Sequence, residues 1–108
     1  SNERAEQGDG RLDAALAEAN ALFEDGRYDR AIKSAYALFH DYPQSTKSVS
    51  KQGKKAWLII GLSSCKSKSL AAVNAAYQHL DPAKKQALAY GCHHDGIFLS
   101  GGKFSMNQ

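Results

Sequence analysis

The sequence predicts an all-α domain: two antiparallel helix hairpins followed by a C-terminal capping helix. Three observations carry that reading. Apolar residues recur at three- and four-residue spacing through 12–23 and again through 28–42, the period of one face of an α-helix. Capping or breaking residues (Asp25-Gly26, Pro43, Asp81-Pro82 and Gly96) punctuate the stripes where helices of ordinary length start or stop. Alternating β-branched and aromatic runs, the mark of strands, are almost absent.

The chain has 108 residues, one domain's worth. Its composition, 43% apolar and 23% charged, is that of a chain able to bury a modest core. The longest apolar run, Ala56–Ile60, falls far short of the ~18 to 20 residues of a membrane span. Ser1–Gly10 is polar and acid-rich, unlike a signal peptide. Ser1-Asn2 without an initiator Met reads as a tag-cleavage remnant, so the chain is expected to be a piece of a longer protein. The formal charge is +3 and uneven. Most carboxylates lie in 1–42, while Lys47, Lys51, Lys54, Lys55, Lys66, Lys68, Lys84 and Lys85 lie beyond. Such asymmetry either steers an acidic partner or marks a solvated lysine-rich face.

Residues 1–10 carry Gly8 and Gly10 and no apolar periodicity, and are expected to be a flexible lead-in. The domain proper is expected over 11–99. Leu12, Ala15, Leu16, Ala19, Leu22 and Phe23 form the first stripe, ended by Gly26, which tolerates positive φ. Tyr28, Ala31, Ile32, Ala35, Leu38, Phe39 and Tyr42 form the second, stopped by Pro43. These two helices make the first hairpin, 11–43. The second is expected over 46–80, with its start left open: Ser45 caps a lengthened helix, or Ser48–Gly53 is a loop, Gly53 and its serines favouring the loop. Ala56, Trp57, Leu58, Ile59, Ile60, Leu62 and Cys65 are apolar nearly all round, so this helix is expected at the centre of the domain. Gly61 within it costs about 1 kcal/mol against Ala and so signals close approach of a neighbouring helix. After a Ser67–Ser69 turn, Leu70, Val73, Ala76, Tyr77 and Leu80 share a side. Asp81 as N-cap and Pro82 at the first helical position open the capping helix, 82–95, whose inner face is expected to hold Ala83, Ala87, Leu88 and Cys92. Ile97-Phe98-Leu99 is expected to fold back on it, and 100–108 to be a tail.

Trp57, Ile60 and Gly61 match the opening of a tetratricopeptide repeat, and Ala31 followed twelve residues later by Pro43 matches its close. Over 12–80 the chain resembles that family, through Ala19, Gly26, Tyr28, Ala31 and Pro43 in one unit and Trp57, Ile60, Gly61 and Tyr77 in the next. It departs at Leu22, Ala35, Ser64 and Val73, and the second Trp falls about eight residues later than an uninterrupted array would place it. The stretch 56–65 with Ala76–Pro82 also resembles repeat regions of bacterial multidomain proteins, among them some serine/threonine kinases and gliding-motility or secretion components. The resemblance implies a non-enzymatic scaffold whose first helices line a groove for a peptide or helix of another protein. By position it places Asn20, Phe23 and Glu24 in that groove, with Leu58, Leu62, Cys65 and Lys66 from the second unit. Leu16 and Leu62 stand where a carboxylate clamp needs polar groups, which excludes that clamp; the apolar lining suits an amphipathic helix. With only two hairpins, the same residues read equally well as core.

No catalytic or metal-binding pattern competes. Ser63-Ser64-Cys65-Lys66 contains the letters S-x-x-K without its partner motifs. His93-His94-Asp95 are helix neighbours that diverge by about 100°, and His near a helix C-terminus is favoured without metal. His40 and His79 read as single surface residues. Gly101-Gly102-Lys103 lacks the strand and helix of a phosphate loop. Cys65 and Cys92 lie on helices expected to pack, so a disulfide worth roughly 3 kcal/mol is feasible; two buried thiols are the alternative. Lys47, Lys51, Lys54, Lys55, Lys66 and Lys68 would make one basic rim if the interhelix segment and the Ser67–Ser69 turn were neighbours. Nucleic acid is disfavoured as partner, because interleaved aromatics and a strongly basic balance are missing. The expected function is therefore protein docking, with self-association as a homodimer or a basic-rim nucleic-acid site as alternatives. No cofactor is expected. A cytoplasmic location is expected, or the periplasm if Cys65 and Cys92 are bridged.

Overall fold

A computed structural model describes residues 10–47 and 50–106. The lead-in expected over 1–9 lies outside them. Among the described residues, five helices and one small hairpin follow in order: α1 (Arg11–Glu24), α2 (Tyr28–Asp41), α3 (Lys51–Lys66), α4 (Leu70–Tyr77), α5 (Pro82–His94), β1 (Phe98–Ser100) and β2 (Lys103–Ser105). The domain is all-α apart from that two-stranded sheet.

The stripes bury as their spacing requires. Leu12, Leu16 and Ala19 of α1 meet Ala31, Ala35 and Leu38 of α2. Ala19 and Ala31 have no exposed surface, so the two backbones come close where these small residues cross. Gly26, at φ +77°, turns the chain between them. The α1 ending is a Schellman motif, with Arg27 N–H on Leu22 O and Gly26 N–H on Phe23 O. The ends of α3 and α5 repeat that motif around Lys68 and Gly96.

Helix α3 is the middle of the domain and packs on α1, α2, α4 and α5. Ala56, Ile60, Gly61, Ser63, Ser64 and Cys65 are all buried on it. Full burial of a side chain such as Ile60 is worth about 1.5–3 kcal/mol. Trp57 is half-buried at its side, 4.8 Å from Phe39 and 5.8 Å from Tyr36 between ring centroids, with His79 stacked flat on it at 4.0 Å. His79 is thus a packed ring rather than the lone surface residue expected; His40 is exposed.

Helices α3 and α5 run parallel. Lys54 approaches Asp81, Gly61 faces Leu88, and Cys65 is bonded to Cys92, each pair separated by the same 27 residues. A Cβ on Gly61 would lie 2.8 Å from Leu88 Cδ1, the close approach that glycine signals. Gly91 receives Leu62 in the same way, at 2.5 Å from an added Cβ. The Cys65–Cys92 disulfide, with Cα atoms 5.4 Å apart, fastens the C-terminal ends of the two helices.

The structure settles the open start of α3 and corrects three other expectations. Gly53 lies inside α3, not in a loop, because the backbone of 46–47 presses on it: an added Cβ would collide with Lys47 O and sit 2.7 Å from Thr46 O. Ser50, not Ser45, is the cap, its Oγ accepting from Gly53 N–H at 2.9 Å. On α5, Leu88 and Cys92 are buried but Ala83 and Ala87 are exposed; alanines are small enough to sit on either face. The segment expected as a tail from 100 onward contains β2, paired antiparallel with β1 through a Gly101–Gly102 turn with positive φ at both residues. Phe104, 1% exposed, fills the space beside Tyr77, while Asn74 Oδ1 accepts from Phe104 N–H at 2.8 Å. Gly101-Gly102-Lys103 therefore follows a strand, but leads into another strand rather than a helix.

Candidate functional site

An open concavity with an apolar floor lies between α1 and α3, with a volume of about 560 Å³. Asp13, Leu16, Ala17, Asn20 and Phe23 form one wall, and Lys51, Gln52, Lys55, Leu58, Ile59 and Leu62 the other. Both sets recur at helical spacing, so each wall is one face of one helix over about three turns, or roughly 15 Å. Leu58 and Leu62 on the floor are half-buried: they pack against the cluster that holds Leu88 and Cys92 and also line the groove.

Of the groove residues the sequence placed, Asn20, Phe23, Leu58 and Leu62 come together here. Glu24 is exposed at the end of α1 and does not line the groove. Cys65 is fully buried in the disulfide. Lys66 is turned away: its Nζ sits 2.9 Å from Asp95 Oδ1 beyond α5. That hydrogen bond to Asp95 raises the Lys66 pKa above its ordinary value, with burial opposing it. Sequence reasoning missed Asp13, Ala17, Lys51, Gln52, Lys55 and Ile59. Lys51, Lys55, Leu58 and Leu62 follow one another at the helical period, a signal obscured while 48–53 was open to a loop reading.

The six lysines expected as one rim divide into two groups. Lys47, Lys51, Lys54 and Lys55 stand at the start of α3, and Lys66 and Lys68 at its end, some 16 residues away, about 24 Å along the axis. Most are engaged. Lys54 and Lys84 approach Asp81 at 4.0 and 3.5 Å. Lys68 Nζ donates to Asp95 O. The Asp81 carboxyl is held below its usual range, first by the Lys84 backbone N–H it caps and then by the two ammonium groups, against some desolvation. Lys51 and Lys55 form no ion pair among the described residues.

Elsewhere the chemistry-bearing residues have packing partners. His93 packs edge-on against Phe98 at 5.0 Å and His94 against Tyr90 at 4.8 Å. No group of three His, Cys, Asp or Glu among the described residues is placed to hold a metal ion. Ser63 Oγ is buried without a hydrogen-bond partner, so Lys66 does not reach the hydroxyl that the letters S-x-x-K pair with it. No helix among the described residues is long and apolar enough to cross a membrane. Comparison with protein-family models, curated proteins and solved structures found no match to this chain.

Proposed function

We propose that the domain is a non-enzymatic interaction module of the tetratricopeptide-like kind, docking a peptide or helix of another protein in the α1–α3 groove. The observation that supports this most is the meeting of Asn20, Phe23, Leu58 and Leu62 on the walls of one open concavity. These are positions at which the tetratricopeptide resemblance implies a groove. Apolar side chains lining a groove beside Lys51 and Lys55, which form no ion pair among the described residues, suit helix-in-groove recognition, in which anchors at i, i+3, i+4 and i+7 enter the cleft. In this reading α5 covers the far flank of α3, as a terminal helix must in a short stack of repeats. The setting is a scaffold segment of a bacterial regulatory, motility or secretion assembly.

A pull-down at moderate salt tests the reading. Ala17→Phe fills the groove from an exposed helix position, and Leu62→Asp charges its floor. Loss of the captured partner with both variants, each with unchanged circular dichroism, supports the groove. Capture unaffected by Ala17→Phe would remove it. Unfolding by Leu62→Asp alone would identify Leu62 as core, because that side chain also packs on Gly91.

A further inference from the structure

Resting on that groove reading, we infer that the occupant is an amphipathic α-helix with an acidic flank, recognised by Lys51 and Lys55. Three observations converge. The first is the inventory of cations. Lys54, Lys66, Lys68 and Lys84 are each held by Asp81 or Asp95, whereas Lys51 and Lys55, one helical turn apart, line the groove without an ion pair among the described residues. Lys33, Lys47 and Lys103, outside the groove, likewise form no ion pair among the described residues, so what sets Lys51 and Lys55 apart is that both stand unpaired on one wall of an apolar groove.

The second is where these lysines stand. The first turn of α3 holds no acidic residue. The positive end of the helix dipole disfavours a cation at Lys51, by about 0.3–1 kcal/mol, an effect that has faded by Lys55 in the second turn. Carboxylates would serve the helix better, so an external anion is the natural complement. Asp13 on the facing wall leaves room for one basic residue in the occupant and would set its orientation.

The third is the poverty of backbone-binding groups. An extended peptide brings an unpaired N–H and C=O per residue, and four or five residues span the roughly 15 Å of the walls. Among the described residues, Asn20 and Gln52 are the only amide side chains lining the groove. A helix arrives with its backbone bonds already made and asks only for apolar contact, which Leu16, Phe23, Leu58 and Leu62 provide.

Fluorescence anisotropy with labelled synthetic peptides tests this. One peptide carries Leu at i, i+3, i+4 and i+7 with Glu along one flank; a second has Lys for each Glu; a third scrambles the acidic sequence so that no stripe forms. The acidic helix is expected to bind about tenfold tighter than the basic one, since two exposed pairs change from attraction to repulsion. The preference is expected to reverse on the double variant Lys51→Glu/Lys55→Glu, and the scrambled peptide to bind weakest. Equal binding of the acidic and basic helices, a preference for the basic or the scrambled peptide, or no binding by any of them overturns the inference. The groove reading is judged separately: binding that ignores charge but is lost on Ala17→Phe leaves the groove standing and removes only its acidic partner.

Discussion

Replacing Gly53 with Ala should destabilise the domain, although Ala is the better helix former at an interior position by about 1 kcal/mol. The structure decides the sign. An added Cβ would collide with Lys47 O and lie 2.7 Å from Thr46 O and 2.9 Å from Ser50 Oγ. Two of those atoms are backbone, so relief requires the 42–47 turn to move as a body. That turn is tied down by Thr46 N–H and Thr46 Oγ1 on Tyr42 O, and by Ser50, whose Oγ reaches Ser45 O at 2.8 Å and Lys47 O at 2.7 Å. Overpacking costs about 1–3 kcal/mol, and loosening the Ser50 cap about 1 kcal/mol more. Against the propensity gain, a net loss of about 1–3 kcal/mol is expected, a fall in Tm of several degrees or more for a domain of this size. Thermal unfolding followed by circular dichroism at 222 nm measures it. A Tm at or above that of the parent would refute the close approach, and with it the placement of Gly53 within α3.

Three further outcomes follow from the packing. The denatured, unreduced protein should show no free thiols, and reduction should cost roughly 3–4 kcal/mol in the chain-entropy picture for a 27-residue separation; a count of two would contradict the bridge. Asn74→Ala should cost about 1–3 kcal/mol by leaving Phe104 N–H and O without their partner, and should speed amide exchange at Phe104; unchanged exchange there would show that β2 is held by other means. Stability should fall on both sides of neutrality. Asp81, with its folded pKa lowered, adds stability present above about pH 4 and lost as pH falls through the folded value. Lys66, with its folded pKa raised, adds stability present below about pH 10 and lost as pH rises through the folded value. Asp81→Asn and Lys66→Met should each flatten one limb of a Tm–pH curve; a limb unchanged by its substitution would show that the ion pair concerned contributes nothing.

Much of the helical core was legible because the interior apolar side chains of α1 and α2 lie where a 3.6-residue period puts them. Gly61 and Asp81-Pro82 were readable for the same local reason: one announces a close neighbour, the other a helix start. Gly53 left the start of α3 open because glycine has two uses, and choosing between them requires knowing that the 46–47 backbone lies against it. The β-hairpin carried a signal that periodicity searches pass over. Gly101-Gly102 between Phe98-Leu99-Ser100 and Lys103-Phe104-Ser105 is a two-residue turn signal flanked by aromatic-bearing segments. Its strands are three residues long and gain their order from α4 and Asn74 rather than from their own pattern. Four of the eleven groove residues, Asn20, Phe23, Leu58 and Leu62, were visible as first-helix positions of a repeat. Lys66 was lost from it because its partner, Asp95, lies 29 residues away, a pairing that the parallel packing of α3 and α5 creates.

The docking groove is tested most directly by titrating the isotope-labelled domain with the acidic amphipathic helix and following backbone amide shifts. Changes concentrated at Leu16, Ala17, Asn20, Lys55, Leu58 and Leu62 are the expected result. Changes centred instead on the outer face of α5, where Tyr90 is 70% exposed beside Ala83 and Ala87, would place the interaction surface on the wrong side of the molecule and contradict the account.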